Sequence, residues 1–132
     1  MKLLSDAGRA LVVLLVVYVL ADFLLTPLAR LETRDPAFVT PLGRVTLGLL
    51  FVGLLVAVVA IVLLFRGSLR ATVSAVIAAV LFYPAVLAEW TGHFSTLTPP
   101  PAIAIIELVQ AVIALLIIVV ALRAFGRGIY SP

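Results

Sequence analysis

Residues 42–65 read LGRVTLGLLFVGLLVAVVAIVLLF. No ionisable side chain interrupts this run after Arg44. At about 1.5 Å per helical residue it is long enough to cross a hydrocarbon core of about 30 Å with some tilt. Thr46, Gly53, Ala57 and Ala60 recur along it at spacings of seven, four and three, which puts them on one face and lets a neighbouring backbone approach closely. The stretch therefore predicts a membrane-spanning helix with a packing wall of small residues.

The rest of the chain has the same character. Of 132 residues 65% are hydrophobic and 11% charged, proportions that a soluble domain does not sustain. Three more apolar runs flank the first, and helices are expected over residues 10–28, 42–65, 71–92 and 102–123. The connections between them are too short to hold a soluble head. The expected fold is an all-α integral membrane protein, a four-helix antiparallel transmembrane bundle forming a single domain over 1–132.

Upstream of residue 42 the chain is polar, with Arg30, Glu32, Arg34 and Asp35 followed by Pro36 and Pro41, and reads as a solvated connector. Further back, Leu11 to Leu20 and the tripeptide Val19-Leu20-Ala21 imitate the core and cleavage site of a signal peptide. The apolar run continues through Phe23, Leu24 and Leu25, so it is read as a retained first helix. Downstream, Arg66-Gly-Ser-Leu-Arg70 is a tight turn that makes its flanking helices antiparallel neighbours. Pro84 falls inside the third apolar run, where it removes a backbone donor and should kink the helix near Val80. Pro99-Pro100-Pro101 forms a stiff connector whose last proline opens the fourth helix. The tail after Arg123, with Gly126, Gly128 and Pro132, is expected to fray.

Charge placement orients the spans. The N-terminus, the 66–70 turn and the C-terminus hold six of the nine Lys and Arg residues, the first connector three and the third none. The positive-inside rule then puts both termini in the cytoplasm, in a plasma or inner membrane. The net charge of +3 comes from arginines beside apolar runs, where they face headgroups. No basic patch with interleaved aromatics supports nucleic-acid binding, and zero cysteines exclude thiol chemistry, thiolate metal sites and disulfide exchange.

In that orientation Asp22, Glu89 and Glu107 all fall in the outer half of the membrane. Intramembrane carboxyl groups are costly, and they face a bundle interior or a wet cavity where they find partners. Tyr18, Asp22 and Thr26 form an i, i+4, i+8 stripe on the first helix. Glu107 and Gln110 share a face of the fourth with Ala104, Ala111 and Ala114. On the third, Ala75, Ala78, Phe82, Ala85 and Glu89 make a seam, with His93 a turn beyond. The expected site is one outward-facing chamber lined by Asp22, Glu107, Glu89, Tyr18, Gln110, His93, Trp90 and Tyr83. Crowded carboxyls in low dielectric suit a proton or a cationic or hydroxylated small-molecule ligand, and ring faces add cation recognition.

Competing readings stand beside this one. Glu89, Trp90 and His93 lie shallow enough to be interfacial anchors, with even weight given to that role. Asp22 and Glu107 would also serve simply to lock helices in register through Tyr18, Gln110 or Arg30. Glu89 and His93 at i, i+4, with Glu107 and Asp22, make only a weak metal set, and a single axial His93 a weaker haem site. No cofactor is implied, and no nucleophile has a base beside it, so an enzyme ranks third. The leading expectation is ligand or proton binding, as part of transport. The alternative is a structural or accessory subunit whose apolar flanks dock onto a larger membrane complex, with the small-residue face of the second helix as its main support. The expected partners are the lipid bilayer, a small-molecule ligand, and further copies of the chain or a larger complex.

Overall fold

The computed structural model describes residues 4–32, 39–96, 101–127 and 130. Among the described residues the protein is all-helical, without strands: α1 (Asp6–Glu32), α2 (Pro41–Phe65), α3 (Ala71–Val80), α4 (Tyr83–Trp90) and α5 (Pro101–Arg127). Three stretches are long and apolar enough to cross a membrane, namely Pro41–Phe65, Ala71–Trp90 and Ala104–Ala124. The second of these is α3 and α4 taken together.

Local chemistry explains where the helices stop. Thr40 caps α2, its side chain accepting a hydrogen bond from Gly43 N–H at 2.9 Å while Pro41 takes the first helical position. At the other end of α2, Gly67 adopts φ 73°. This lets Gly67 N–H reach the Leu64 carbonyl and Ser68 N–H the Leu63 carbonyl, the two bonds of a Schellman cap. The same cap closes α4 through Gly92 at φ 78°, with His93 N–H on the Ala88 carbonyl and Gly92 N–H on the Glu89 carbonyl. Helix therefore ends at Trp90, two residues before the expected boundary at 92.

The expected helix over 71–92 is also interrupted. Leu81 and Phe82 keep right-handed dihedrals, but Phe82 N–H turns to the Ala79 carbonyl, three residues back, at 3.3 Å. Pro84 has no N–H for the Val80 carbonyl, and the kink follows from that missing donor. α1 departs from expectation differently, running four residues beyond each of its predicted ends at 10 and 28. Hydropathy marks where a chain leaves an apolar phase, whereas Leu28-Ala29-Arg30-Leu31-Glu32 is a sequence of good helix formers.

Antiparallel neighbours follow from contacts at the helix ends. Leu4 pairs with Tyr130, bringing the start of α1 to the end of α5, and Val39 pairs with Ser95, bringing the start of α2 to the end of α4. Between these ends the interior is built largely of alanine: Ala57, Ala60, Ala71, Ala75, Ala78, Ala79, Ala85, Ala114 and Ala121 are buried in one apolar core with Leu11, Leu15, Leu64 and Ile117. Small side chains bring the helix axes close and let dispersion contacts accumulate, the main source of helix association in lipid. At Gly53 an added Cβ would lie 3.0 Å from Leu81 Cβ and 3.2 Å from the Ala78 carbonyl oxygen. Thr46, Gly53, Ala57 and Ala60 are all buried. The small-residue face of α2 is therefore packed inside the chain, against α3 and the kink.

A second clasp ties α2 to the turn after α4. Thr40 N–H donates to the Phe94 carbonyl at 3.0 Å, the Thr40 hydroxyl donates to the His93 carbonyl at 2.5 Å, and Phe94 is fully buried beside Val39 and Ala88. At the opposite end the Tyr130 hydroxyl donates to the Ser68 carbonyl at 2.6 Å. Tyr130 is thus docked on the α2–α3 turn; Gly128 and Pro132, on which the expectation of fraying rested, lie outside the described residues.

Candidate functional site

Residue type and kink together set the site. α1 places Tyr18 and Asp22 one turn apart on its buried face, and α5 places Glu107 and Gln110 likewise on its own. The antiparallel packing of these helices brings Asp22 opposite Gln110, and Gln110 Nε2 donates to Asp22 Oδ1 at 2.5 Å. Tyr18 is 0% exposed, Gln110 1%, Asp22 2% and Glu107 3%. These are large penalties for polar groups unless they find partners.

The third wall is the kink. The Phe82 ring meets the Tyr18 ring edge-on, with centroids 5.9 Å apart, and Tyr83 lies 5.8 Å beyond Phe82 in a similar edge contact. The Tyr83 hydroxyl donates to the Ala111 carbonyl at 2.8 Å, tying the start of α4 to α5 one residue past Gln110. The Tyr18 hydroxyl interacts with Asp22 electrostatically and with Tyr83 at longer range, without a hydrogen bond of standard geometry. Gln110 Oε1 is likewise buried with no hydrogen-bond partner among the described residues. The cluster thus carries a buried carboxyl, a free acceptor and an O–H donor within one polar layer of an apolar interior.

The other sequence candidates distribute as follows. Glu89 is buried on α4, seven residues past Phe82 and so about 10 Å further along the axis. Trp90 is 45% exposed, and His93 is exposed with Nδ1 at 2.8 Å from Thr91 Oγ1. Both stand apart from the buried cluster, in positions that suit an interfacial belt. The side chains of Thr26 and Arg30 lie outside the described residues. Among the described residues no group of three or more His, Asp or Glu is close enough together to hold a metal ion. The set of Glu89, His93, Glu107 and Asp22 is therefore not assembled. Arg9, Arg44, Arg66, Arg70, Arg123 and His93 are exposed.

Sequence reasoning missed the Ala111 carbonyl, because a backbone acceptor has no signature in residue type. It also missed Thr40, whose signal was present as Thr-Pro ahead of an apolar run, the pattern of a helix start. No protein-family model, curated protein or solved structure matches the chain.

Proposed function

We propose that this is a small polytopic membrane protein that binds a small ligand or a proton in a carboxylate-lined chamber, as part of transport. In this reading α1, α2, the kinked α3–α4 pair and α5 form four antiparallel spans of a plasma or inner membrane, with both termini cytoplasmic. The chamber opens outward between α1, α4 and α5. Its members are Asp22, Gln110, Tyr18, Glu107 and Tyr83, with Glu89 further out along α4 and His93 and Trp90 at the rim.

The observation that carries the reading is the Asp22–Gln110 pair, buried to 2% exposure or less, with the second carboxyl of Glu107 one turn along the same face of α5. A structural lock needs only one neutral hydrogen bond. Two carboxyl groups in one apolar interior cost far more, and such groups in membrane helices mark ion or proton pathways by default. The test is proton uptake and ligand binding by purified Asp22→Asn and Glu107→Gln variants. Both should fold and lose uptake or binding; full retention in both would show that the pair only sets helix register. The accessory-subunit reading loses its main support, since the small-residue face of α2 packs on α3 and Leu81.

A further inference from the structure

Resting on that reading of the site, we infer that its ligand is the proton itself, taken up by the Asp22 carboxyl, and that the Gln110 side chain is the group that accommodates both protonation states.

The first argument is steric. Gln110 Nε2 sits on Asp22 Oδ1, Phe82 closes on the Tyr18 ring and Tyr83 is tied to the Ala111 carbonyl, while Tyr18, Asp22, Phe82 and Gln110 are each 3% exposed or less. Sites for organic molecules occupy hundreds of cubic ångströms. A multivalent cation needs several carboxyl or imidazole ligands together, and the described residues bring no three of them into one group. A proton needs one carboxylate oxygen and no added volume.

The second argument is hydrogen-bond complementarity. A carboxylate is an acceptor only, whereas the neutral acid also donates. Gln110 presents an N–H₂ donor and an Oε1 acceptor on one rotatable amide. Its donor is on Asp22, and its acceptor is buried with no partner among the described residues. When a proton from the aqueous phase bonds to an Asp22 oxygen, half a turn of the Gln110 amide exchanges Nε2 for Oε1, and the new O–H donates to it. No covalent bond breaks, and the charge on the pair goes from minus one to zero. The Tyr18 O–H is buried in the same cluster.

Ionisable groups on every packed element are few. Among the side chains that are described along these faces, α1 contributes Tyr18, α4 contributes Tyr83 and Glu89, and α5 contributes Glu107. α3 has no ionisable residue, and the only one on α2 is Arg44, exposed near its N-terminal end. Asp22 is the acid in direct contact with a reversible donor–acceptor.

Infrared difference spectroscopy of the full chain in lipid, between alkaline and acidic buffer, tests this. A protonated-carboxyl C=O band should appear on acidification, move when the aspartates carry ¹³C at the carboxyl carbon, and stay put when only the glutamates do. It should vanish in Asp22→Asn and change frequency in Gln110→Met, which removes the acceptor but not the acid. Isotope labelling in an Asp6→Asn, Asp35→Asn background, where Asp22 is the one aspartate left, keeps the test independent of whether Asp22→Asn folds. A band that follows the glutamate label, or that is unmoved in Gln110→Met, overturns the assignment. If no carboxyl band titrates while a small amine binds in an Asp22-dependent way, the proton assignment fails and the chamber survives. Unchanged uptake and binding in both neutral variants removes both.

Discussion

Gln110 on α5 donates a 2.5 Å hydrogen bond to Asp22 on α1, joining residues 88 positions apart in the chain. The bond is the polar counterpart of the alanine packing around it, because it selects a single rotation and height of α1 against α5. Helix pairs that meet only through alanine have many near-equivalent registers. A buried polar pair penalises each alternative that would leave either group unmatched.

Its strength is measurable by a double-mutant cycle. Asp22→Ala and Gln110→Ala, singly and together, should show a coupling of about 0.6–1.7 kcal/mol, the range for interhelical hydrogen bonds in a bilayer. Unfolding equilibria in mixed micelles provide the readout. A coupling near zero would mean that each side chain is held by other partners.

Gly53 and Gly48 make a matched pair on α2. A Cβ at Gly53 meets Leu81 and Ala78, whereas one at Gly48 meets nothing within 4 Å. Gly53→Leu should force α2 away from the kink and destabilise by about 1–3 kcal/mol through overpacking. Gly48→Ala should be neutral or slightly stabilising, since alanine is the better helix former. Thermal unfolding of the two variants side by side checks the contrast.

The clasp at the start of α2 predicts a graded series. Thr40→Val removes the cap on Gly43 and the bond to the His93 carbonyl, a loss of about 1 kcal/mol. Gly43→Ala drives a methyl group into the Phe94 carbonyl and should cost more. Hydrogen exchange at the Thr40 amide, protected by the Phe94 carbonyl, should accelerate in both variants.

Tyr130 lies outside the spanning segments, and burial pushes its phenol above the ordinary value of about 10. The neutral phenol is the form that donates to the Ser68 and Leu63 carbonyls. Because the folded value is the higher one, the stabilising contribution is complete below about pH 10 and is lost as pH rises through the raised value. Tyrosinate absorbance of the wild type compared with Tyr130→Phe should show one phenol titrating late. Tyr130→Phe should loosen the tail at neutral pH, read as faster exchange at the Ser68 amide. Titration of Tyr130 at the ordinary value would argue against docking.

Much of the local structure was legible because it depends on neighbours in sequence. Pro84 removes a donor wherever it stands, Pro101 opens a helix, and Gly67 and Gly92 admit the left-handed turn that ends one. The small-residue faces of α2 and of the third apolar run were visible as spacings of three, four and seven, and these residues are buried. The end of α1 was misplaced because the transition to charged residues is a change of solvent preference rather than of helix propensity. The contacts of Tyr130 with residues 63 and 68 were not legible, because composition at positions 123–132 does not encode them.

By itself, the sequence determined the class of molecule. Apolar runs of this length demand a helical, lipid-compatible chain, and carboxyl groups among them demand an interior face. It also singled out a handful of polar residues as candidates for that face. Only the tertiary structure decided which of them meet. Asp22 had Tyr18, Gln110 and Arg30 as candidate partners, and the choice depends on which helices are adjacent and how each is rotated. Those are properties of the whole packed interior, set by where Gly53 admits Leu81 and where Pro84 turns Phe82 and Tyr83 toward α1 and α5. The same packing left Trp90 and His93, the most conspicuous residues in the sequence, exposed, and it placed Gln110 on Asp22.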